Sequence, residues 1–550
     1  MKYDIILVTA EPFVDHPFSG VAILKKILEK EKYAVGIIEN PDWKEEDDFR
    51  RLGEPNLFFG VTSGAIDSML VNYTPLKKKR QENEFSKMSY VMPDRAVTVY
   101  CNAIKRIFKG SSAKIVIGGT ESSLRRFTHF DYWDNSVRKS ILFDTRADML
   151  VYGPGELQIL EIARRLKDKR NLAGINGTCI ISGNIPKNAA EKFIELPAFD
   201  EVKSADKQGK EKFCEMQNLI SPKKNIAQKT GDRYILQYKM PKYGPEDLDS
   251  FYSFDYSRRI PGNYPEMKNF RWSVVTHRGC FGNCNFCSIA VNSGNGIISR
   301  SEENILEEIK RIAKDPEFDG TVELSGASAN MYGMDCKHYD TCVKNDCLNC
   351  NLLDSSHSRM ISLLQKSRAI RGIRRIIVKS GMRYDLAMRS PEYIREIVKY
   401  HNDGKLMVAP EHTDNTVLKA MNKDYDIDEF VKKFYSLCKT EKVNCDLTYY
   451  SMVAHPGSTV ESSKKLAEFI KKHRFSDYVQ VFTPTPMTVS TCMYHTGLDP
   501  KNGKEIYVPY TYNEKKIQKN IALDRETNSK NRHENDDIAK EKRKKIKTNK

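Results

Sequence analysis

Cys280, Cys284 and Cys287 form a C-x3-C-x2-C run inside His277-Arg278-Gly279-Cys280-Phe281-Gly282-Asn283-Cys284-Asn285-Phe286-Cys287, directly after a predicted strand. Three thiolates this close can wrap one face of a cubane cluster, because soft sulfur suits iron and spreads its charge. Gly279 and Gly282 let the loop turn tightly around such a group. Three cysteines leave the fourth iron of a cubane without a protein ligand. A structural zinc site would instead need four ligands, usually as two C-x2-C pairs.

A second set follows: Cys336, Cys342, Cys347 and Cys350, spaced C-x5-C-x4-C-x2-C, with His338 between the first two. The surrounding stretch, 333–354, is polar and needs a staple to hold its shape. Zinc and an auxiliary iron–sulfur cluster both fit four thiols, and the irregular spacing does not choose between them. Seven of the thirteen cysteines thus fall between Cys280 and Cys350. The other six (Cys101, Cys179, Cys214, Cys438, Cys445 and Cys492) read as small apolar residues.

Two strand–helix rhythms must position these residues. In the first, apolar β-like runs at 3–8, 34–38, 57–62, 114–118 and 148–152 alternate with helical stretches such as 20–28 and 156–166. That predicts a doubly wound, Rossmann-like α/β domain over 1–183. Gly118-Gly119-Thr120-Glu121-Ser122 is a glycine turn suited to a ligand at the carboxyl edge of its sheet. Residues 77–93 read as a polar loop and 184–264 as a charged connecting region. In the second rhythm, strands are expected at 272–276, 321–324, 373–378, 406–409, 447–453 and 478–482. Helices separate them at 303–312, 359–370, 391–400, 428–438 and 462–472. Six units are too few for a closed eight-stranded barrel of about 250 residues. Residues 265–500 are therefore expected to form a partial, open (β/α)6 barrel carrying the Cys-rich insertion 333–354. Residues 501–550 form a C-terminal extension, expected to be disordered from about 524.

The 550 residues carry a net charge of +16. From Leu523 on, ten basic and six acidic residues account for +4, so about +12 stays on the folded part. That field favours polyanionic partners such as RNA, although no catalogued RNA-binding motif is present. Mean hydropathy is −0.57, and no apolar run is long enough to span a membrane. The short apolar stretch at 5–8 is followed too soon by Glu11 for a signal peptide. A cytoplasmic protein is expected, in which the cysteines are not disulfides.

The first cysteine loop resembles that of radical S-adenosylmethionine (SAM) enzymes, including the aromatic residue before the third cysteine. The resemblance implies a 4Fe-4S cluster on Cys280, Cys284 and Cys287, an open iron gripping the amino and carboxylate groups of SAM, and Phe286 beside the adenine. Leu324-Ser325-Gly326-Ala327 resembles the glycine-rich turn that meets the SAM amino group. It has serine first and no acid in third place, so backbone contacts at Ser325 and Gly326 must serve. Ser380-Gly381-Met382-Arg383 and Val408-Ala409-Pro410-Glu411-His412 end the next two strands. Ser380 and Glu411 are expected at the cofactor, and Glu411, His412, Arg383 and His455 are catalytic candidates.

Further segments are similar to the YgiQ-type family of radical SAM iron–sulfur proteins. Among them are Asn56-Leu57-Phe58-Phe59-Gly60-Val61-Thr62, Ser123-Leu124-Arg125-Arg126, Ala329-Asn330-Met331-Tyr332, Ala454-His455-Pro456-Gly457 and Met493-Tyr494-His495-Thr496-Gly497. The resemblance runs from about residue 3 to 500. It implies reductive cleavage of SAM to a 5′-deoxyadenosyl radical that acts on an unnamed substrate. It also implies a low-potential electron donor of the flavodoxin or ferredoxin type. Two alternatives stand beside this: methyl or methylthio transfer to RNA or protein, and a non-catalytic iron–sulfur redox or binding protein. Cobalamin-dependent relatives carry Asp-x-His-x-x-Gly after the first strand. Here Asp15 and His16 are adjacent and Gly20 follows, so cobalamin is not expected.

Overall fold

The structure, a computed structural model, describes residues 2–80, 90–187, 191–339, 341–342, 346–473 and 479–524. The expectation of disorder beyond 524 lies outside the described residues. No helix among the described residues is long and apolar enough to cross a membrane.

One nine-stranded sheet dominates the N-terminal half. Its order is Val35–Glu39, Ile5–Thr9, Phe58–Thr62, Lys114–Gly118, Met149–Val151, Thr178–Ser182, Arg233–Gln237, Ile226–Thr230 and Ile194–Leu196. The first five strands are parallel, as the alternation of apolar runs and helices requires. The expectation for 184–264 needs correcting here. That segment is no mere connection, because it supplies the last three strands: Arg233–Gln237 pairs antiparallel with Thr178–Ser182 and Ile226–Thr230, and Ile194–Leu196 pairs parallel with Ile226–Thr230. Its polar residues are buried against partners distant in sequence. Gln237 Oε1 accepts from Arg126 Nε at 2.8 Å, and Gln228 Oε1 accepts from the Thr128 backbone N–H at 2.9 Å. Burying such groups costs little once they are hydrogen-bonded.

The second half is an open arc of six parallel strands. Ser273–Val275, Thr321–Ser325 and Arg375–Val378 form one sheet, and Lys405–Glu411, Asp446–Val453 and Val479–Val481 the other. A parallel bridge from Met382 to Val408 joins the two. Strand Asp446–Val453 buries Leu447, Tyr449, Ser451 and Val453, the period-2 pattern of a pleated strand packed on one face. Helix Glu302–Ile312 buries Ile305, Ile309 and Ile312 and is capped by the Ser301 side chain. Helix Tyr512–Ala522 packs along helix Val460–His473, which ties the C-terminal extension to the arc. Buried ion pairs lock the two halves together: Arg278 meets Glu156 at 2.6 Å, and Arg258 pairs with Glu308.

Candidate active site

The carboxyl ends of the arc's strands converge on the loop that holds Cys280, Cys284 and Cys287. Its backbone is pinned from several directions. Asn285 donates its backbone N–H to Met421 O at 2.9 Å and its side-chain amide to Ala420 O at 2.8 Å. It accepts from Ser490 N at 2.9 Å, and Asn422 Nδ2 donates to Asn283 O at 2.9 Å. Gly279 has φ +84°, and a side chain there would overlap the carbonyl oxygen of Gly296. The three thiols are half-buried. Burial pushes the Cys287 thiol up to about 12, with nearby Cys284 and Cys280 adding to the effect. The Cys287 thiol stays protonated unless a metal replaces the proton.

Arg383 supplies the positive charge. Its Nη1 lies 3.6 Å from Cys284 Sγ, and a bidentate pair to Asp385 fixes its plane (Nε to Oδ1 at 3.0 Å, Nη2 to Oδ2 at 2.9 Å). Asn330 brackets its backbone, donating to Arg383 O and accepting from Arg383 N, both at 2.9 Å. The guanidinium stays charged although buried, because Asp385 outweighs the cost of desolvation. A hydrogen bond from a cation to a cluster thiolate offsets its negative charge and tunes its potential.

Ser325 and Ser380 end neighbouring parallel strands, and their hydroxyls meet at 3.0 Å. Gly326 follows against the face of His277, leaving no room for a Cβ. We expect Gly326→Ala to force that buried ring aside at about 2 kcal/mol. For a domain of this size, the melting temperature should drop by about 4–8 °C. An unchanged melting temperature would contradict this packing.

Glu411 closes the fourth strand in a left-handed conformation, φ +65°, after an irregularity in the ladder. A non-glycine residue there is strained, a condition that clusters at functional sites. Glu411 Oε1 pairs with Lys423 at 3.2 Å, while the buried Oε2 has no hydrogen-bond partner among the described residues. Burial raises its pKa, and Lys423 and Arg383 oppose the rise. In His412, Nδ1 accepts from the backbone N–H groups of Thr413 and Asp414 at 2.9 and 3.0 Å. The ring is neutral, its pKa lowered to about 4 by burial, so the proton sits on Nε2, which has no partner among the described residues. An orphaned acceptor and an orphaned donor at consecutive positions fit a polar ligand such as a ribose or an amino acid moiety.

His455 is placed differently from the other candidates. Its Nδ1 bonds Pro456 O at 2.7 Å and its Nε2 bonds Ser490 Oγ at 2.6 Å, so both nitrogens are used inside the fold. Phe286 lies edge-on to its ring at 6.3 Å. The sequence reading missed Asn285, Asn330, Asp385 and Lys423. Only Asn285 and Asn330 lie inside segments singled out for the resemblance.

The second cysteine set is gathered beside the first. Burial raises the pKa of Cys347, and Cys336, Cys342 and Cys350 lie close enough to raise it further. Cys347 and Leu348 join the apolar cluster that contains Phe281 and Cys280. Among the described residues, no three His, Cys, Asp or Glu side chains are arranged to hold a single metal ion. A cubane asks for no such convergence, since each thiolate binds a different iron. His16 lies elsewhere. It is buried at the amino end of the first arc strand, where Nε2 contacts Arg271 O at 3.0 Å and Arg258 at 2.8 Å, and Nδ1 accepts from Phe18 N at 3.0 Å. Both ring nitrogens are engaged, so His16 does not fit as an axial ligand to a corrin.

Known proteins resemble this chain along most of its length. Residues 1–273 match the radical SAM N-terminal family and residues 274–470 the radical SAM superfamily. Residues 477–542 match a domain of unknown function, DUF3362. The chain is a radical SAM enzyme. A UPF0313 protein of Methanocaldococcus jannaschii is 44% identical over 551 residues, covering 96% of this chain and 90% of the relative. A UPF0313 protein of Fusobacterium nucleatum is 38% identical over 553 residues, covering 96% and 97%. The chain belongs to the UPF0313, YgiQ-type, family. The radical SAM methyltransferase TsrM from Kitasatospora setae, solved with cobalamin and a [4Fe-4S] cluster bound, shares the fold. Its TM-score is 0.53, over 90% of this chain and 79% of that one, at 14% identity. OxsB, a cobalamin-dependent SAM radical enzyme solved with aqua-cobalamin bound, has a TM-score of 0.50 over 97% and 62%, at 12% identity.

Proposed function

We propose that this chain binds a 4Fe-4S cluster on Cys280, Cys284 and Cys287 and cleaves SAM reductively to generate a radical that acts on a further substrate. The observation that carries the reading is the three-thiol loop itself, with Arg383 against Cys284 and no fourth cysteine within it. The donor set suits a cubane with one open iron, and the two orphaned polar atoms beside it suit the polar groups of SAM. Such a cluster, when bound and reduced, supplies one low-potential electron that breaks the sulfonium into methionine and a 5′-deoxyadenosyl radical.

The chain's own groups would do the rest. Cys280, Cys284 and Cys287 would hold the iron, and Arg383 would balance the thiolate charge. Ser325, Gly326 and Ser380 would line the edge where the amino acid end of SAM lies. Glu411 Oε2 would accept hydroxyl protons, and neutral His412 would donate from Nε2. Phe286 would cover the adenine and exclude water. An auxiliary cluster on Cys336, Cys342, Cys347 and Cys350 belongs to the same reading, whereas zinc does not, since no three of these thiols converge on one point.

The test is anaerobic protein with dithionite and SAM, assayed for 5′-deoxyadenosine. The reading expects product with intact protein. A fully loaded cluster that yields none would support a non-catalytic iron–sulfur protein instead.

A further inference from the structure

A basic run from the N-terminal half and a row of tyrosines from the C-terminal extension meet beside the site. Lys77, Lys78 and Lys79 are exposed. The carboxylates that act on Lys77, Asp131 and Asp134, are both paired with Arg95. Two of these lysines lie against rings instead. Lys77 sits 4.6 Å over Tyr132 and Lys78 5.8 Å over Tyr512. Beneath them Lys515 is buried, held by the hydroxyls of Tyr132 and Tyr494 at 3.0 and 2.9 Å rather than by an acid. Burial pushes its amine down to about 8, and Lys77 adds to the fall. Positive charge concentrated without partners is costly to keep, and it marks a site for an anion.

The C-terminal segment continues this surface toward the cluster loop. Lys501, Lys504, Tyr507 and Tyr510 recur every three residues and all are exposed, whereas Val508 and Pro509 face inward. Tyr507, Tyr510 and Tyr512 expose 48, 50 and 42% of their surface. The strip is anchored to the site at two points. Gly457, two residues after His455, donates its backbone N–H to Tyr507 O at 2.7 Å. Lys501 Nζ donates to Asn422 Oδ1 at 3.1 Å, and Asn422 in turn holds Asn283 between two of the cluster-loop cysteines.

We propose that this strip docks single-stranded RNA, its phosphates against Lys78, Lys79, Lys501 and Lys504 and its bases stacked on Tyr510 and Tyr512. Lysines that meet no acid among the described residues call for a polyanion, and half-exposed tyrosine rings offer planar bases a stacking surface. An acidic protein would use the first feature and leave the second unexplained. A strand bound there would run to the rim of the candidate active site. The proposal concerns binding alone, so it stands or falls without SAM chemistry.

The test is fluorescence anisotropy on full-length, anaerobically purified protein with a fluorescein-labelled RNA of about 15 nucleotides. Wild type is expected to bind at low salt with Kd below about 10 µM. Tyr510→Ala with Tyr512→Ala is expected to weaken binding at least tenfold, since stacking is worth about 1–3 kcal/mol per base. Lys78→Gln with Lys79→Gln should weaken it and reduce the salt slope by about 1.4. Melting temperature and iron content, unchanged from wild type, would separate these losses from unfolding. Tyr512→Ala alone and the lysine pair keep the test alive if Tyr510, which packs on Tyr494, proves necessary for stability. The proposal is overturned if wild type fails to bind RNA or if folded variants bind as wild type does. It is likewise overturned if the variants lose only a flavodoxin-type donor, which would assign the surface to a protein.

Discussion

Alanine at any one of Cys280, Cys284 or Cys287 is expected to strip the chain of about four irons and four sulfides and to bring 5′-deoxyadenosine formation down to background. Two remaining thiols cannot hold a cubane against exchange, and in this chain nothing nearby can replace the third. The other thiols that approach the loop belong to the set around Cys347, which packs with Cys280 on the apolar cluster of Phe281 and Leu348 and is engaged with Cys336, Cys342 and Cys350. Alanine at Cys336 or Cys350 should therefore leave the first cluster and SAM cleavage measurable, while removing any metal held by the second set. Alanine at Cys101, buried in the N-terminal core, should change neither iron content nor turnover. Iron and sulfide analysis of the three kinds of variant separates these outcomes. Full iron retention in Cys284→Ala would be incompatible with the assignment.

Acid is expected to unfold the protein well before its surface carboxylates are protonated. Burial lowers the pKa of nine histidines: His16 and His455 to about 3, His129, His277, His357, His412 and His495 to about 4, and His401 and His473 as well. Each is neutral in the folded chain and binds a proton when exposed below about pH 6.5. The unfolded state then carries more protons, so stability is fully present above pH 6.5. It falls as pH drops toward the folded values, by up to about 1.4 kcal/mol per pH unit for each histidine. Buried Glu11, Glu121, Glu323 and Glu411 run the other way, because their raised pKa values favour the protonated folded state as pH falls. Nine against four leaves a net loss, large beside a total stability of about 5–15 kcal/mol. Urea midpoints measured at pH 7, 6 and 5 should fall at each step. A midpoint that holds or rises at pH 5 would contradict the burial of these rings.

The arc was legible because its strands are short apolar runs and its helices carry apolar residues at helical spacing. Ile305, Ile309 and Ile312 announce one such helix in sequence as clearly as in space. The cluster loop was legible because cysteine spacing is itself chemical information. The segment 184–264 was not legible. Its strands contain Gln228, Lys229, Arg233 and Gln237, and two of these are buried only because Thr128 and Arg126 reach them from about a hundred residues away. No local window contains that partnership. The turn at Gly119 shows a related dependence on distant residues. Its glycine is required at φ +82° by Thr62, whose hydroxyl occupies the place of a Cβ. At the site, sequence identified Glu411 and His412 as polar residues at a strand end. It could not show the left-handed backbone at Glu411 or the orphaned Oε2 and Nε2, because these depend on how the ladder ends and on what covers it.

Electron paramagnetic resonance of the dithionite-reduced protein, recorded with and without SAM, tests the central claim most directly. If three thiolates leave one iron open, SAM binds that iron and the signal of the reduced cluster shifts. Cys336→Ala should show the same shift, which assigns it to the first set. A reduced cluster whose spectrum is indifferent to saturating SAM would mean that no iron is open.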